Sequence, residues 1–279
     1  NDSDMKIKEI KISIDVFALI NYWMKIRRRK VREVNGHKFN LKPDKPDKRD
    51  IKYQARLFGA IPETANMDMI KDNSLIYDQL ELGSCTANMG LGLYRRTLKH
   101  DKQPDFDGSR LELYYNTRTD KTEDTGASIR DTFKTMNKYG LCSEKNWPYL
   151  VNKFAIKPPD ICYQEGLSHQ TILFKSIDKG DINSIKDAVA SGNFGGFGIP
   201  VYESFESPEA ARTGIIPMPN RCREKLYGYH AVAWGAYDKD YLWCSNSWGK
   251  GWGKNGYFAL PWSFVKKYAS DIWVLYAVE

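Results

Sequence analysis

Apolar residues between positions 62 and 150 recur at spacings of three and four, which marks one face of an α-helix. Two stretches show this, with Ala87, Leu91, Tyr94 and Leu98 in the first and Ile129, Phe133 and Met136 in the second. Between them, Ser109 and Glu112 form a capping box that opens a further helix. Gly140 suits the end of the later helix because glycine readily adopts a left-handed conformation. The first half of the chain is therefore predicted to be mostly helical.

Beyond about residue 195 the pattern changes to short runs rich in β-branched and aromatic residues. These runs are Ala231–Tyr237, Tyr241–Ser245, Gly256–Leu260 and Ile272–Val278. Acidic and glycine-rich turns and Pro261 separate them, which are strand-breaking signals. The glycines at 195, 196 and 198 precede an extended run rather than a helix, so they indicate a turn or a close strand approach, not a phosphate loop. Helices segregated from strands predict an α+β protein with two lobes and a cleft between them.

The charge divides the chain into a basic beginning and a nearly neutral remainder. Residues 1–50 carry 14 Lys and Arg against 8 Asp and Glu, whereas residues 51–279 carry 28 against 27. The two prolines and alternating charges of residues 41–50 predict an exposed, protease-accessible linker. We therefore expect three regions: a basic N-terminal segment with its linker at 1–50, a mainly helical lobe at 51–155 and a mainly β lobe at 156–279.

Composition excludes several classes of protein. Apolar residues make up 42% and aromatic residues 13% of the chain, which is too much for a disordered protein. Membrane insertion is excluded because no apolar run approaches the roughly 18–20 residues of a spanning helix. A nucleic-acid partner is not favoured, since residues 51–279 lack a basic stripe with interleaved aromatics. No signal peptide is visible, so the compartment stays open.

The cysteines do not form a metal-binding pattern. There are five, with no Cys-x-x-Cys pair, and they are Cys85, Cys142, Cys162, Cys222 and Cys244. We therefore predict neither a zinc site nor another cofactor. An odd count leaves at least one thiol free, while the pairing of the others stays open.

Cys85 begins the first predicted helix, and this position carries a chemical consequence. Unpaired amides and the positive end of the helix dipole favour the nucleophilic thiolate, so we expect Cys85 to have the lowest pKa and to alkylate fastest of the five cysteines. The alternative is a small buried hydrophobic residue. His230 lies 145 residues downstream and Asn246 follows 16 residues later. A thiol requires a base, and an imidazole requires a group that orients it, so the three residues can share these roles.

With these motifs the chain resembles the papain and cathepsin family of cysteine proteases. Gly83-Ser84-Cys85 near the N-terminus, with a His and an Asn about 130–150 residues later, matches the family pattern. Residues 246–249, Asn-Ser-Trp-Gly, resemble the family's asparagine loop, and Trp147-Pro148-Tyr149 resembles another landmark. The resemblance spans roughly residues 60 to 279 and implies a papain-like two-lobed fold, with a helical lobe and a β-barrel-like lobe.

The resemblance also implies roles for individual residues. Cys85, His230 and Asn246 would be catalytic, and Gln79 would donate to the oxyanion. Trp248 would shield the hydrogen bond between His230 and Asn246. Residues expected to line the substrate cleft are Gly83, Ser84, Gly126, Ala127, Tyr229, Trp248 and Trp252.

Three positions depart from the family pattern. Leu82 stands where the family usually has a bridged cysteine, so that bridge is absent. Thr86 replaces the tryptophan that follows the nucleophile. The Cys-x-Gly-Gly loop that lines the cleft appears here as Asp124-Thr125-Gly126-Ala127-Ser128. We expect Gly126 to keep its backbone contact with substrate and the flanking pocket to be altered.

The sequence thus predicts a cysteine endopeptidase that acts on protein or peptide substrates through a covalent acyl-enzyme. Two alternatives remain: a catalytically silent papain-like protein that binds a partner through the cleft, and a structural component of a virus particle. Residues 1–50 are expected to inhibit the enzyme by lying over or near the cleft, because their apolar side chains require a surface to bury against. The competing interpretation packs this segment on the back of the β lobe.

Overall fold

A computed structural model describes residues 33–55 and 60–278, and all of these residues belong to one compact unit. Expectations about residues 1–32 lie outside the described residues. Within the described ranges, no helix is both long and apolar enough to cross a bilayer.

Seven α-helices lie in the described ranges. They are α1 Cys85–His100, α2 Arg110–Thr117, α3 Ile129–Tyr139, α4 Asp160–Gly166, α5 Ile182–Ala190, α6 Pro208–Thr213 and α7 Trp262–Tyr268. Short 3-10 turns occur at Met67–Lys71, Val151–Lys153 and Glu203–Glu206. The helices of the first half precede most of the strands, as the sequence predicts.

Two antiparallel sheets complete the fold. A hairpin joins β1 Glu33–Val34 to β2 His37–Lys38. The main sheet has six strands: β3 Thr171–Ile177, β4 Phe194–Tyr202, β5 Leu226–Tyr237, β6 Tyr241–Ser245, β7 Tyr257–Pro261 and β8 Ser270–Val278. Their order is β3-β8-β4-β5-β6-β7, and each neighbouring pair is antiparallel. The predicted α+β class is confirmed.

The predicted helices form because their apolar faces pack against the sheet. The predicted face of α1 is buried in the same cluster as Ala231 and Ala233 of β5. The Ser109 hydroxyl caps α2 by accepting a hydrogen bond from the amide of Glu112 at 3.0 Å. Gly140 ends α3 with φ at 68°, a conformation that a side chain would strain. The helix signals in the sequence are therefore confirmed at both ends.

The strands differ more from their prediction. The sequence patterns did not predict β3 or α5, and β5 begins at Leu226 rather than at residue 231. The glycine run at 195–198 lies inside β4, where every residue is buried. A Cβ atom on Gly195 would collide with the side chain of Trp234 on the neighbouring strand. Gly195 therefore serves a close approach within the sheet, whereas Gly196 and Gly198 make room for the side chains of Met89 and Leu41.

The segment after β2 is held more firmly than its composition suggests. The carboxylate of Asp44 accepts hydrogen bonds from the Trp273 indole at 2.7 Å and from the Arg130 amide at 3.1 Å. The Arg130 guanidinium in turn pairs with Asp50. The expected exposed linker is therefore wrong for its acidic residues, which are half-buried, while its prolines and lysines 45 and 48 are exposed. Asp44 and Asp50 looked solvated in the sequence because their partners Arg130 and Trp273 lie 80 or more residues away.

Glu112 of α2 is a buried acid beneath the helical lobe. Its Oε1 accepts a hydrogen bond from the side chain of Asn116 at 2.5 Å, while Oε2 is buried without a hydrogen-bond partner among the described residues. Burial nevertheless dominates and raises the pKa of Glu112 to about 8 from its ordinary value of 4.5. The folded protein therefore keeps a proton here that the unfolded chain releases.

We expect Glu112 to contribute a negative slope to the free energy of unfolding between about pH 4.5 and 8, because this group is deprotonated there only in the unfolded state. Glu112→Gln should remove this slope and stabilise the protein at pH 8 by at least ~1 kcal/mol relative to its effect at pH 4.5. Urea unfolding at a series of pH values measures this. Glu209→Gln, on an exposed helix surface, is the matched control, and an equal change of slope in both variants would contradict the prediction.

Candidate active site

Cys85 is the first residue of α1 and packs directly against β5. The backbone amides of Cys85, Thr86 and Ala231 lie close enough to its sulfur to favour the thiolate and so act to lower the pKa of the thiol. Two of these amides belong to the free N-terminus of the helix, as the sequence predicted. The third places the sulfur beside the residue that follows His230.

The protonation state of Cys85 differs from the sequence prediction. The side chain is completely buried, and burial raises the pKa of the thiol to about 11 despite the three amides. Leu41, from the N-terminal segment, belongs to the same buried cluster. The expected lowered pKa is therefore wrong while the segment covers Cys85. The loss of water destabilises the thiolate more than the amides at the helix N-terminus stabilise it.

His230 is oriented by Asn246 through a single hydrogen bond. The ring Nε2 lies 2.9 Å from Asn246 Oδ1, which also accepts the amide of Ser247 at 2.9 Å. Because Oδ1 is an acceptor in both contacts, Nε2 carries the hydrogen and Nδ1 has the lone pair. Nδ1 is buried without a hydrogen-bond partner among the described residues. Burial lowers the pKa of His230 to about 4, so the ring is neutral here.

The two predicted tryptophans occupy different layers. Trp248 stacks on His230 with ring centroids 4.9 Å apart and an interplanar angle of 25°. Trp252 packs edge-on against Trp248 from behind and stacks on Phe205. Trp248 thus covers the imidazole of His230, whereas Trp252 packs against Trp248 and helps to hold that ring in place.

Gln79 links the loop before α1 to the loop after β6. Its side-chain oxygen accepts a hydrogen bond from the Ser247 hydroxyl at 2.6 Å, and its Nε2 donates to the carbonyl of Leu82 at 2.8 Å. Nε2 also lies 3.4 Å from the carbonyl oxygen of Lys38. A peptide carbonyl therefore already lies against the amide that the resemblance identifies as the oxyanion donor.

Residues 38–42 of the segment pass between the loop around Gly126 and strand β5 at Tyr229, both of which carry residues predicted to bind substrate. The amide of Leu41 donates to the carbonyl of Tyr229 at 3.1 Å, and the amide of Lys42 donates to that of Ala127 at 3.0 Å. Gly126 has φ at 73°, and a Cβ atom there would overlap the backbone oxygen of Asn40. Glycine is required at this position because the segment's backbone lies in contact with it.

Aromatic contacts hold the same segment over the imidazole. The ring of His37 stacks on Trp248 at 4.0 Å, nearly parallel, and its Nδ1 lies 3.1 Å from a carboxylate oxygen of Glu206. Phe39 is buried, with its ring edge-on to His230 at 6.4 Å. The sequence predicted that residues 1–50 would cover the cleft, and these side chains show where residues 37–42 lie.

Behind the loop that precedes Cys85 lies a hydrogen-bond network that the sequence did not predict. The Tyr149 hydroxyl donates to the carbonyl of Gln79 at 2.8 Å and lies 2.5 Å from the hydroxyl of Ser84. Arg110 stacks on the ring of Tyr149, 4.1 Å from its centroid. Ser84, predicted to line the cleft, thus faces this network instead. The Trp-Pro-Tyr landmark was the signal that could have identified Tyr149.

Comparison with known proteins gives a consistent result. Residues 62–269 match the family described as papain family cysteine protease. A peptidase C1-like protein of Acanthamoeba polyphaga mimivirus is 36% identical over 271 residues, covering 86% of this chain and 87% of its own length. The crystal structure of xylellain, a cysteine protease from Xylella fastidiosa, superposes with a TM-score of 0.82 at 31% identity, covering 90% of this chain and 99% of xylellain. A procathepsin B of Trypanosoma congolense shares the fold, with a TM-score of 0.69 at 14% identity, over 95% of this chain and 98% of its own.

The fold is that of a papain-like cysteine protease. The chain belongs to the papain family of cysteine proteases, as its sequence motifs predicted.

Replacing Gln79 with Ala should lower kcat for peptide hydrolysis about 100-fold or more, the usual loss when one oxyanion donor is removed. Ser247→Ala removes only the hydroxyl that orients this amide, so a smaller loss of about tenfold is expected. Steady-state kinetics, with circular dichroism as the folding control, measures both. An unchanged kcat in Gln79→Ala would mean that another group stabilises the oxyanion.

Proposed function

We propose that the chain is an endopeptidase in which Cys85, His230 and Asn246 hydrolyse peptide bonds through an acyl-enzyme. His230 Nδ1 takes the proton of the Cys85 thiol, and the sulfur attacks the scissile carbonyl carbon. The resulting oxyanion accepts hydrogen bonds from the Gln79 side chain and the Cys85 amide. His230 then returns the proton to the leaving amine, which breaks the peptide bond and leaves a thioester. Water, deprotonated by the same nitrogen, hydrolyses that thioester.

The orientation of His230 supports this proposal best. Asn246 Oδ1 accepts the hydrogen of Nε2, which leaves the lone pair on Nδ1. A buried ring nitrogen without a hydrogen-bond partner costs free energy in a purely structural site. In a catalytic site the same nitrogen is the base, so its partner is the proton of the nucleophile. This observation favours catalysis over the silent binding protein.

Alkylation provides the direct test of the nucleophile. In the full chain Cys222 is the exposed thiol and Cys85 is fully buried, so iodoacetamide should label Cys222 first. A peptidyl epoxide whose peptide part displaces the segment from the cleft should then label Cys85 at near-neutral pH. Cys85→Ala should abolish both this labelling and peptide hydrolysis. Hydrolysis that survives in Cys85→Ala would refute the proposed nucleophile.

We further propose that residues 33–42 hold the enzyme inactive by occupying the cleft. The carbonyl of Lys38 lies against the oxyanion donor Gln79, and the amides of Leu41 and Lys42 use carbonyls that a substrate would need. The same segment excludes water, which keeps Cys85 and His230 neutral. Displacement of the segment would restore water and allow the thiolate and imidazolium to form as a pair.

Phe39→Ala in the full chain should raise kcat/KM for a small peptide substrate at least tenfold. Removing a buried phenylalanine typically costs ~3 kcal/mol, and here that cost falls on the covered state. Lys48→Ala, at an exposed position in the linker that follows residues 33–42, is the control and should change kcat/KM less than twofold. Equal activity of Phe39→Ala and the unaltered chain, with both folded, would refute inhibition by this segment.

A further inference from the structure

Asp124 takes the position of the cysteine in the family's Cys-x-Gly-Gly loop, and its carboxylate is fixed by the protein on two sides. It accepts the amide of Gly83 at 3.0 Å and the hydroxyl of Tyr114. The same carboxylate forms an ion pair with the ammonium of Lys38 at 2.8 Å. The side chain of Asp124 is only 13% exposed, so this charge is largely withdrawn from solvent.

One residue of the segment satisfies two groups of the cleft at once. The carbonyl of Lys38 lies 3.4 Å from Gln79 Nε2, and its ammonium lies against Asp124. A residue whose carbonyl reaches the oxyanion donor can therefore bring a basic side chain to this carboxylate. Lys42 provides a contrast, because its ammonium contacts only the neutral hydroxyl of Thr125 at 3.1 Å among the described side chains.

The charge of Asp124 also acts on the nucleophile. Its negative charge is close enough to Cys85 to raise the pKa of the thiol further. While the cleft is covered, the Lys38 ammonium balances the carboxylate. Once the segment leaves, a half-buried carboxylate without that ammonium faces the cleft, and a cation from the substrate would balance it again.

We propose that Asp124 is a specificity-determining residue whose carboxylate forms a subsite for a Lys or Arg side chain of the peptide substrate. The side chain belongs to the residue that donates its carbonyl to Gln79, which is the residue on the acyl side of the cleaved bond. Lys38 occupies this subsite in the covered enzyme. The inference rests on the proposed function, because it concerns the substrate of the same site.

The fixed orientation of the Asp124 carboxylate favours selective binding of one basic side chain over a general attraction of cations. Gly83 and Tyr114 hold the two oxygens in place before any ligand arrives, so little ordering is required on binding. Gly83 lies two residues before the nucleophile, which ties the subsite to the reacting centre. A neutral side chain of the same length would leave the carboxylate desolvated and without a counter-charge.

The test uses the full chain with two changes, Phe39→Ala to weaken the hold of the segment on the cleft and Lys38→Ala to vacate the subsite. Two peptides are compared that differ only in Lys against norleucine at the acyl-side residue. The Lys peptide should be cleaved with a kcat/KM at least about tenfold higher, and this ratio should fall as salt is raised. Adding Asp124→Asn should bring the ratio to within about twofold of one. Lys42→Ala, in place of Lys38→Ala, is the matched control. It should change kcat/KM for the two peptides by the same factor.

A ratio near one in the Lys38→Ala chain, or a ratio that Asp124→Asn leaves unchanged, would overturn the proposal. If Asp124→Asn does not fold, the ratio and its salt dependence in the Lys38→Ala chain decide alone. Failure of the proposed function has a different signature, since neither peptide would be cleaved. The affinities of the two peptides for the Cys85→Ala, Lys38→Ala chain would then be compared, and equal affinities would overturn the subsite.

Discussion

The passage of residues 38–42 between the 124–127 turn and Tyr229 is the contact on which the rest of the site depends. Backbone groups on both sides of the cleft are paired with the segment, and Gly126 permits the approach because it has no side chain. The segment also completes the burial of the catalytic candidates, since Leu41 shares a cluster with Cys85 and Phe39 lies edge-on to His230. The same residues that occupy the cleft therefore also bury Cys85 and His230.

Burial and the helix N-terminus act on Cys85 in opposite directions. The amides at the start of α1 favour the thiolate, while the loss of water and the charge of Asp124 favour the thiol. Burial has the larger effect while the segment is in place, and His230 is neutral for the same reason. In the proposed mechanism, Cys85 therefore becomes a nucleophile only when the segment leaves and water returns to the site.

Ionic and polar contacts join the loops where this chain lacks the usual cysteine at position 82. The Asp124 carboxylate connects the cleft turn to Gly83, and the Tyr149 hydroxyl connects Gln79 to Ser84. A carboxylate differs from a disulfide because it carries charge, so it needs a counter-ion as well as hydrogen bonds. Lys38 supplies that counter-ion here, which couples the stability of the loop to the occupant of the cleft.

The sequence by itself determined the helical first half, the α+β class and the family, because helix periodicity, caps and the motifs around residues 85, 230 and 246 are local patterns. It also indicated a covering role for the N-terminal segment from charge and apolar content. Only the tertiary structure decided that Asp44 and Arg130 hold the linker, that Ser84 faces Tyr149, and that the pKa of Cys85 is raised. Each of these depends on desolvation or on partners far apart in the chain, and neither quantity is encoded in the spacing of neighbouring residues.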